Sequence, residues 1–126
     1  MPIGNRVLGD PERLSQVLRI AAELPEADVS GDHHLAFRIR KKTFAYYQDD
    51  HHGDGIVCVC CKSTFEIQRD LAGRHPERYF VPPYVGAQGW VALRLDGAEV
   101  DWGEVAGLLL AAYKLQAPRR LADAIG

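Results

Sequence analysis

The sequence predicts an α+β, two-layer domain. Its core is a mainly antiparallel sheet of about four strands, accompanied by three helices in the order α-β-β-β-α-β-α. Three observations lead there. Apolar residues recur at helical spacing in segments near both ends of the chain. Two other segments alternate apolar and polar residues with period two. Strand-like segments also follow one another before the second helix, which favours hairpins over crossover connections.

The first helix is DPERLSQVLRIAAEL, residues 10–24. Asp10 is placed to cap it, and Pro11 occupies the first helical position, where a missing N–H costs nothing. Leu14, Val17, Leu18, Ala21 and Leu24 form one apolar stripe, and Pro25 ends the helix. LAFRIRKKTFAYY, residues 35–47, reads as a hairpin with a basic tip. Leu35, Phe37 and Ile39 face one way, while Ala36, Arg38 and Arg40 face the other. DDHHGDG, residues 49–55, is turn material. IVCVCCK, residues 56–62, is apolar on both faces and therefore reads as a central, buried strand.

Ser63 followed by Glu66 predicts a capping box for a helix over about 64–73, ended by Gly73 and Pro76. Residues 78–89 are rich in Pro and Gly and read as a structured loop. WVALRLDG, residues 90–97, is an alternating strand with Val91, Leu93 and Leu95 on one face and Trp90, Ala92 and Arg94 on the other. Asp101 with Glu104 caps a last long helix, about 102–116. Its stripe is Val105, Leu108, Leu109, Ala112 and Leu115. Pro118 closes it, and the rest reads as a short tail.

Composition limits the function classes. The chain has 126 residues, 47% hydrophobic and 25% charged, which suits one soluble domain spanning residues 1–126. A net charge of −2 gives no global attraction to nucleic acid or anionic membrane. The apolar runs are too short to span a bilayer, so no membrane partner is expected. No apolar leader is read at the N-terminus. Three cysteines in one four-residue window make poor long-range disulfides, which points to a reducing cytoplasm.

The run HHGDGIVCVCCKST, residues 51–64, invites a metal reading through Cys58, Cys60 and His51 or His52. The spacing argues against it. Structural zinc sites take ligand pairs from turn-based knuckles, whereas C-x-C-C inside a strand splits its thiols between two faces. Cys58 and Cys61 have the redox spacing but lack a helix N-terminus to stabilise a thiolate. The run is read as turn plus buried strand, so no metal and no cofactor are expected. No nucleophile elbow, P-loop or dinucleotide motif is present either, and the expectation is a non-enzymatic protein.

Charge placement offers more. Arg38, Arg40, Lys41 and Lys42 fall between Leu35 and Gln48 with no acidic residue among them. Arg94 reads outward on a second strand. Tyr47 and Trp90 are expected to add aromatic surface beside these cations, the combination that phosphate contact and base stacking require.

KKTFAYY at 41–47, IVCVCCK at 56–62, RYFVPPYVGAQGWVALRLDG at 78–97 and DWGEVAGLLLAAYKLQAPRRLA at 101–122 together resemble the MmcQ/YjbR family of small bacterial proteins. The resemblance covers the chain from residue 10 onward. It implies a CyaY-like α+β fold and DNA binding of the double-wing type. By motif it marks Lys42, Phe44, Lys62, Tyr84, Trp90 and Tyr113. Phe44 and Tyr113 are assigned to the core, and Lys62 and Trp90 to a surface or cleft.

Two functional expectations follow. One is a nucleic-acid interface made by Arg38, Arg40, Lys41, Lys42, Lys62, Trp90 and Arg94, with DNA as the partner. The other is a small-molecule or protein-binding module whose pocket lies under the 82–90 loop, bounded by Lys62, Tyr84 and Trp90.

Overall fold

The computed structural model describes residues 11–31, 34–50, 53–97 and 99–125. The elements are α1 (Pro11–Ala22), β1 (Ala27–Ser30), β2 (Leu35–Ile39), β3 (Lys42–Asp49), β4 (Val57–Cys61), α2 (Phe65–Arg74), β5 (Tyr79–Phe80), a 3-10 turn (Val85–Gln88), β6 (Val91–Arg94), α3 (Trp102–Gln116) and α4 (Arg119–Ala124). Among the described residues six strands form one antiparallel sheet in the order β1-β2-β3-β4-β6-β5. The α+β class holds. The expected four strands become six, and the expected three helices gain the short α4.

Both additional strands are at sheet edges. β1 is four residues, mostly exposed, directly after the first helix. An edge strand with one face in water carries little apolar pattern, so its sequence gives no signal. β5 is two residues inside the segment expected to be loop. It pairs Tyr79 with Leu93 and Phe80 with Ala92, and the Arg94 N–H extends the pairing by donating to the Arg78 carbonyl at 2.8 Å.

The hairpin β2–β3 turns on Arg40 and Lys41, both at positive φ (52° and 70°). Two consecutive left-handed residues are the geometry of a type I′ hairpin turn. A bulge follows. Phe37 pairs with Ala45, but Arg38 pairs with Thr43, so Phe44 is the additional residue. Its ring enters the core, 6.3 Å from Phe37 and 5.7 Å from Tyr113 at 87°, an edge-to-face contact.

The main core lies between the sheet and the helices. It joins Val17 and Ala21 of α1 and Phe37, Phe44 and Tyr47 of the hairpin to Val57, Val59 and Cys61 of β4, with Val105, Leu109 and Tyr113 of α3. Tyr113, not the expected Leu115, completes the α3 stripe. Leu115 is exposed, and the Tyr113 hydroxyl donates to the Pro25 carbonyl at 2.7 Å. Leu108 is partly buried, as a flanking position of that stripe.

Caps fix both later helices. Asp101 accepts from the N–H groups of Gly103 and Glu104, as the sequence predicts. For α2 the cap is Thr64, whose hydroxyl accepts from the Ile67 N–H at 3.2 Å, one residue later than the expected Ser63. The Glu104 carboxylate turns away to bind Arg78 and the Tyr79 hydroxyl (2.9 Å), tying α3 to β5. The expected cap Asp10 lies outside the described residues.

Candidate binding groove on the open sheet face

Strand alternation sends half of each strand away from the helices. On that open face one row runs across all six strands: Ser30, Ala36, Tyr46, Cys60, Ala92 and Phe80, each beside the next. A neighbouring row pairs Gln48, Cys58 and Arg94. Cys58, Cys60, Trp90 and Ala92 form a second buried cluster, with Tyr46, Ile56, Phe80 and Val85 packed against it. The thiols are split between two faces, as alternation along the strand predicts: Cys61 lies beneath the helices, while Cys58 and Cys60 lie on the far face under the 80–90 segment.

That segment is held by one buried polar side chain. Gln68 of α2 is buried, and its amide nitrogen donates to the carbonyls of Gly86 (2.9 Å) and Trp90 (2.6 Å). The segment also passes closely over the start of α2. A Cβ on Gly89, at φ +93°, would stand 3.2 Å from the Phe65 nitrogen. Only glycine combines that φ with so close an approach.

Between this segment and the sheet lies a groove of about 440 Å³. It is lined by His34, Ala36, Tyr46, Gln48, Asp54, Cys60, Phe80, Pro82, Pro83, Tyr84 and Val85. Its size and composition, mostly apolar with a few polar groups at the margin, match small-molecule sites. A second cleft of about 90 Å³ between β6 and α3, beside the Arg78–Glu104 pair, has room only for a few waters.

The polar groups of the groove have definite geometry. Asp54 accepts from the Ile56 N–H through Oδ1 at 2.9 Å. Gln48 Oε1 faces the Cys58 thiol at 3.8 Å. His34 Nδ1 accepts from the Asp49 N–H at 3.4 Å. Tyr84 is 83% exposed at the rim, at φ +67° and ψ −75°. Burial pushes the Cys60 thiol from 9.0 up to about 12, and burial raises Cys58 and Cys61 as well. Burial thus holds all three thiols protonated, which disfavours a nucleophilic role.

The structure distributes the expected site residues as follows. Trp90, expected at a surface or cleft, is buried (4% exposed). Its ring packs on Tyr46 at 5.6 Å, and its indole N–H finds no acceptor among the described residues. Tyr47, expected at the surface, is in the core. Tyr84 lines the groove, whereas Lys62 and Trp90 do not. The backbone N–H of Lys62 donates to the carbonyl of Phe44, the bulge residue, at 2.9 Å.

The basic residues do not form one patch. Register places Arg38 opposite Thr43 and Lys42 opposite Ile39, hence on alternate faces. Arg40 is paired with Glu26 at 2.7 Å, and Arg94 with Asp96 at 2.9 Å. Arg38, Lys41 and Lys42 are exposed and make no ion pair among the described residues. Sequence reasoning placed Ala36 on the outward face but missed Tyr46, whose phase the bulge hides, and Phe80, whose two-residue strand carries no pattern.

Among the described residues, no group of three or more His, Cys, Asp or Glu is placed to hold a metal ion. His51 and His52 lie outside those residues. No helix described is long and apolar enough to cross a membrane.

The architecture is thus an α+β domain with an open antiparallel sheet and a ligand-sized groove on the face away from the main core. The chain belongs to the YjbR family, whose model matches residues 22–115. A solved structure, Deinococcus radiodurans protein DR2400, a DUF419 domain, is similar at a TM-score of 0.68 and 21% identity, over 81% of this chain and 76% of that one. At that identity the likeness shows a shared fold. No curated protein matches the chain.

Proposed function

We propose that this YjbR-family protein is a non-catalytic binding module that holds a small, largely apolar ligand in the groove of the open sheet face. The observation that carries this reading is the groove itself. Tyr46, Phe80, Pro82, Pro83 and Tyr84 surround about 440 Å³ of space. A stable domain gains nothing from leaving such a concavity unfilled, and aromatic groups around one are the usual lining of ligand sites. The Gln68 clamp and the Gly89 contact hold its far wall in place.

The test is a screen of aromatic fragments against ¹⁵N-labelled protein. Amide shifts confined to residues 34–36, 46–48 and 80–85 are expected, and they disappear in Ala36→Trp, which fills the groove from the open face. A library that leaves those amides unmoved overturns the reading.

A second reading is DNA binding of the double-wing type, which family resemblance implies. Arg38, Lys41 and Lys42, exposed and without an ion pair among the described residues, favour it. Against it stand the neutralised Arg40 and Arg94 and the burial of Trp90. Fluorescence anisotropy on duplex and single-stranded DNA decides between the two. Phosphate contacts are strongest at low salt, so no binding there removes the DNA reading.

A further inference from the structure

The groove's lining is unusual in its charge. Among the described residues Asp54 is its one carboxylate, and none of those lining it is Lys or Arg. We propose that the groove selects an organic cation, a small molecule with an apolar or aromatic body and an ammonium-type head. This rests on the groove reading above and narrows its ligand class.

Three aromatic residues, Tyr46, Phe80 and Tyr84, line the same space. A ring's face carries the negative part of its quadrupole, so a cation in contact with several rings is stabilised where a neutral group is not. Asp54 adds negative charge at the margin, within Coulombic reach of Arg94, which Asp96 pairs. Its Oδ1 is engaged by the Ile56 N–H, and its second oxygen is the natural counter-ion for an ammonium head.

The converse holds for anions. A phosphate or carboxylate in this groove would be desolvated beside Asp54 with no Lys or Arg among the described lining residues. The arginine on the same face, Arg94, is held by Asp96 at 2.9 and 3.0 Å and does not line the groove. Arg38, two residues along β2 from Ala36, is also outside it. Of the other polar groups, Gln48 accepts from the Cys58 thiol through Oε1 and His34 accepts from the Asp49 N–H through Nδ1.

The experiment uses three probes of matched shape on the full chain: benzyltrimethylammonium, its neutral carbon isostere neopentylbenzene, and the anion benzylphosphonate. Groove amide shifts are followed by NMR to about 10 mM, above the millimolar affinity a fragment of this size reaches. The cation is expected to bind at least about fivefold more tightly than either other probe, the scale of a cation–π contact at a partly exposed site. Asp54→Asn keeps the acceptor for the Ile56 N–H and removes the charge. It should weaken the cation, leaving only the preference that the rings supply, and leave the neutral probe unchanged. Equal or tighter binding of the neutral or anionic probe, or a cation indifferent to Asp54→Asn, overturns the charge selection while the groove reading stands. If no probe binds but other aromatic fragments shift the groove amides, only the cation proposal fails. If no fragment shifts them, both fail.

Discussion

Tyr46 and Tyr47 are consecutive in β3 and belong to opposite layers: Tyr47 is buried in the core beneath the helices, and Tyr46 lines the groove. The bulge at Phe44 sets this parity. Alternation counted from the hairpin turn without an additional residue would put Tyr46 inward and Tyr47 outward. With Phe44 inserted between the partners of Arg38 and Phe37, the phase reverses for the rest of the strand. One residue in a hairpin therefore decides which tyrosine a ligand can meet.

Phe44 is consequently both a phase-setter and a core aromatic. It is fully buried between Phe37 and Tyr113. Phe44→Ala should lose about 3–5 kcal/mol of unfolding free energy in urea titrations, the range for a buried Phe reduced to Ala. A loss below about 1 kcal/mol would show that the site collapses freely and that the ring is not part of the packed core.

How much of this was legible in the sequence follows from the same residues. α3 could be read at both ends because Asp101 is a side-chain cap and Pro118 prevents continuation. The inward set Leu35, Phe37 and Ile39 was equally plain. A bulge has no such signature: Phe44-Ala45 reads like any two strand residues, and the phase of everything after it depends on an unpaired residue that only the partner strand reveals. β1 and β5 were invisible because short edge strands need no alternating pattern. The pairings Arg40–Glu26 and Arg94–Asp96 follow from where the chain turns, so the apparent basic patch survived until the turns were known. Of the residues read around a pocket, Tyr84 is in the groove's lining and Lys62 and Trp90 are not.

Gln68 is the buried polar residue that holds the groove's covering segment. Gln68→Met keeps its length and apolar stem but leaves the Trp90 and Gly86 carbonyls without that donor. The expected loss is about 1–3 kcal/mol, the range for leaving a buried polar group unsatisfied. Native-state hydrogen exchange should localise it, with amides of residues 85–90 opening faster than those of β2 and β3. Uniform acceleration across the sheet would contradict the clamp.

The buried thiols give the stability curve a direction in alkali. In the unfolded chain a cysteine ionises near 9.0, whereas burial holds the Cys60 thiol protonated up to about 12. A folded value above the unfolded one means the contribution is complete below pH 9. It is lost as pH rises from there toward 12, at up to about 1.4 kcal/mol per pH unit for each such thiol. Cys58 and Cys61 shift in the same direction, as does Tyr79 through burial and its bond to Glu104. Urea titrations between pH 8 and 11 should therefore show a steep decline, and Cys60→Ala should make it shallower by about one proton's worth. An unchanged slope in that variant would mean that Cys60 ionises in the folded state as it does in the unfolded.

Tyr84 joins strain to exposure. Its φ of +67° and ψ of −75° are those of the rare γ-turn, a conformation that costs a non-glycine residue about 1–3 kcal/mol. Its ring is at the same time the most exposed of the large hydrophobic side chains described. A strained backbone that presents an aromatic to solvent at the mouth of a groove fits a ligand contact. Tyr84→Gly should relieve the strain. After the larger entropy of glycine in the unfolded chain is set against that relief, a gain of about 1 kcal/mol remains, or about 4 °C in Tm for a domain of this size. The same variant should weaken aromatic fragments in the groove about tenfold. Tyr84→Ala separates the two effects, since it removes the ring and keeps the left-handed backbone strained: binding should fall as in the glycine variant, with no gain in Tm. If Tyr84→Gly is less stable than the wild type, or if either variant binds fragments unchanged, Tyr84 is a structural residue of the loop and the groove's ligand does not touch it.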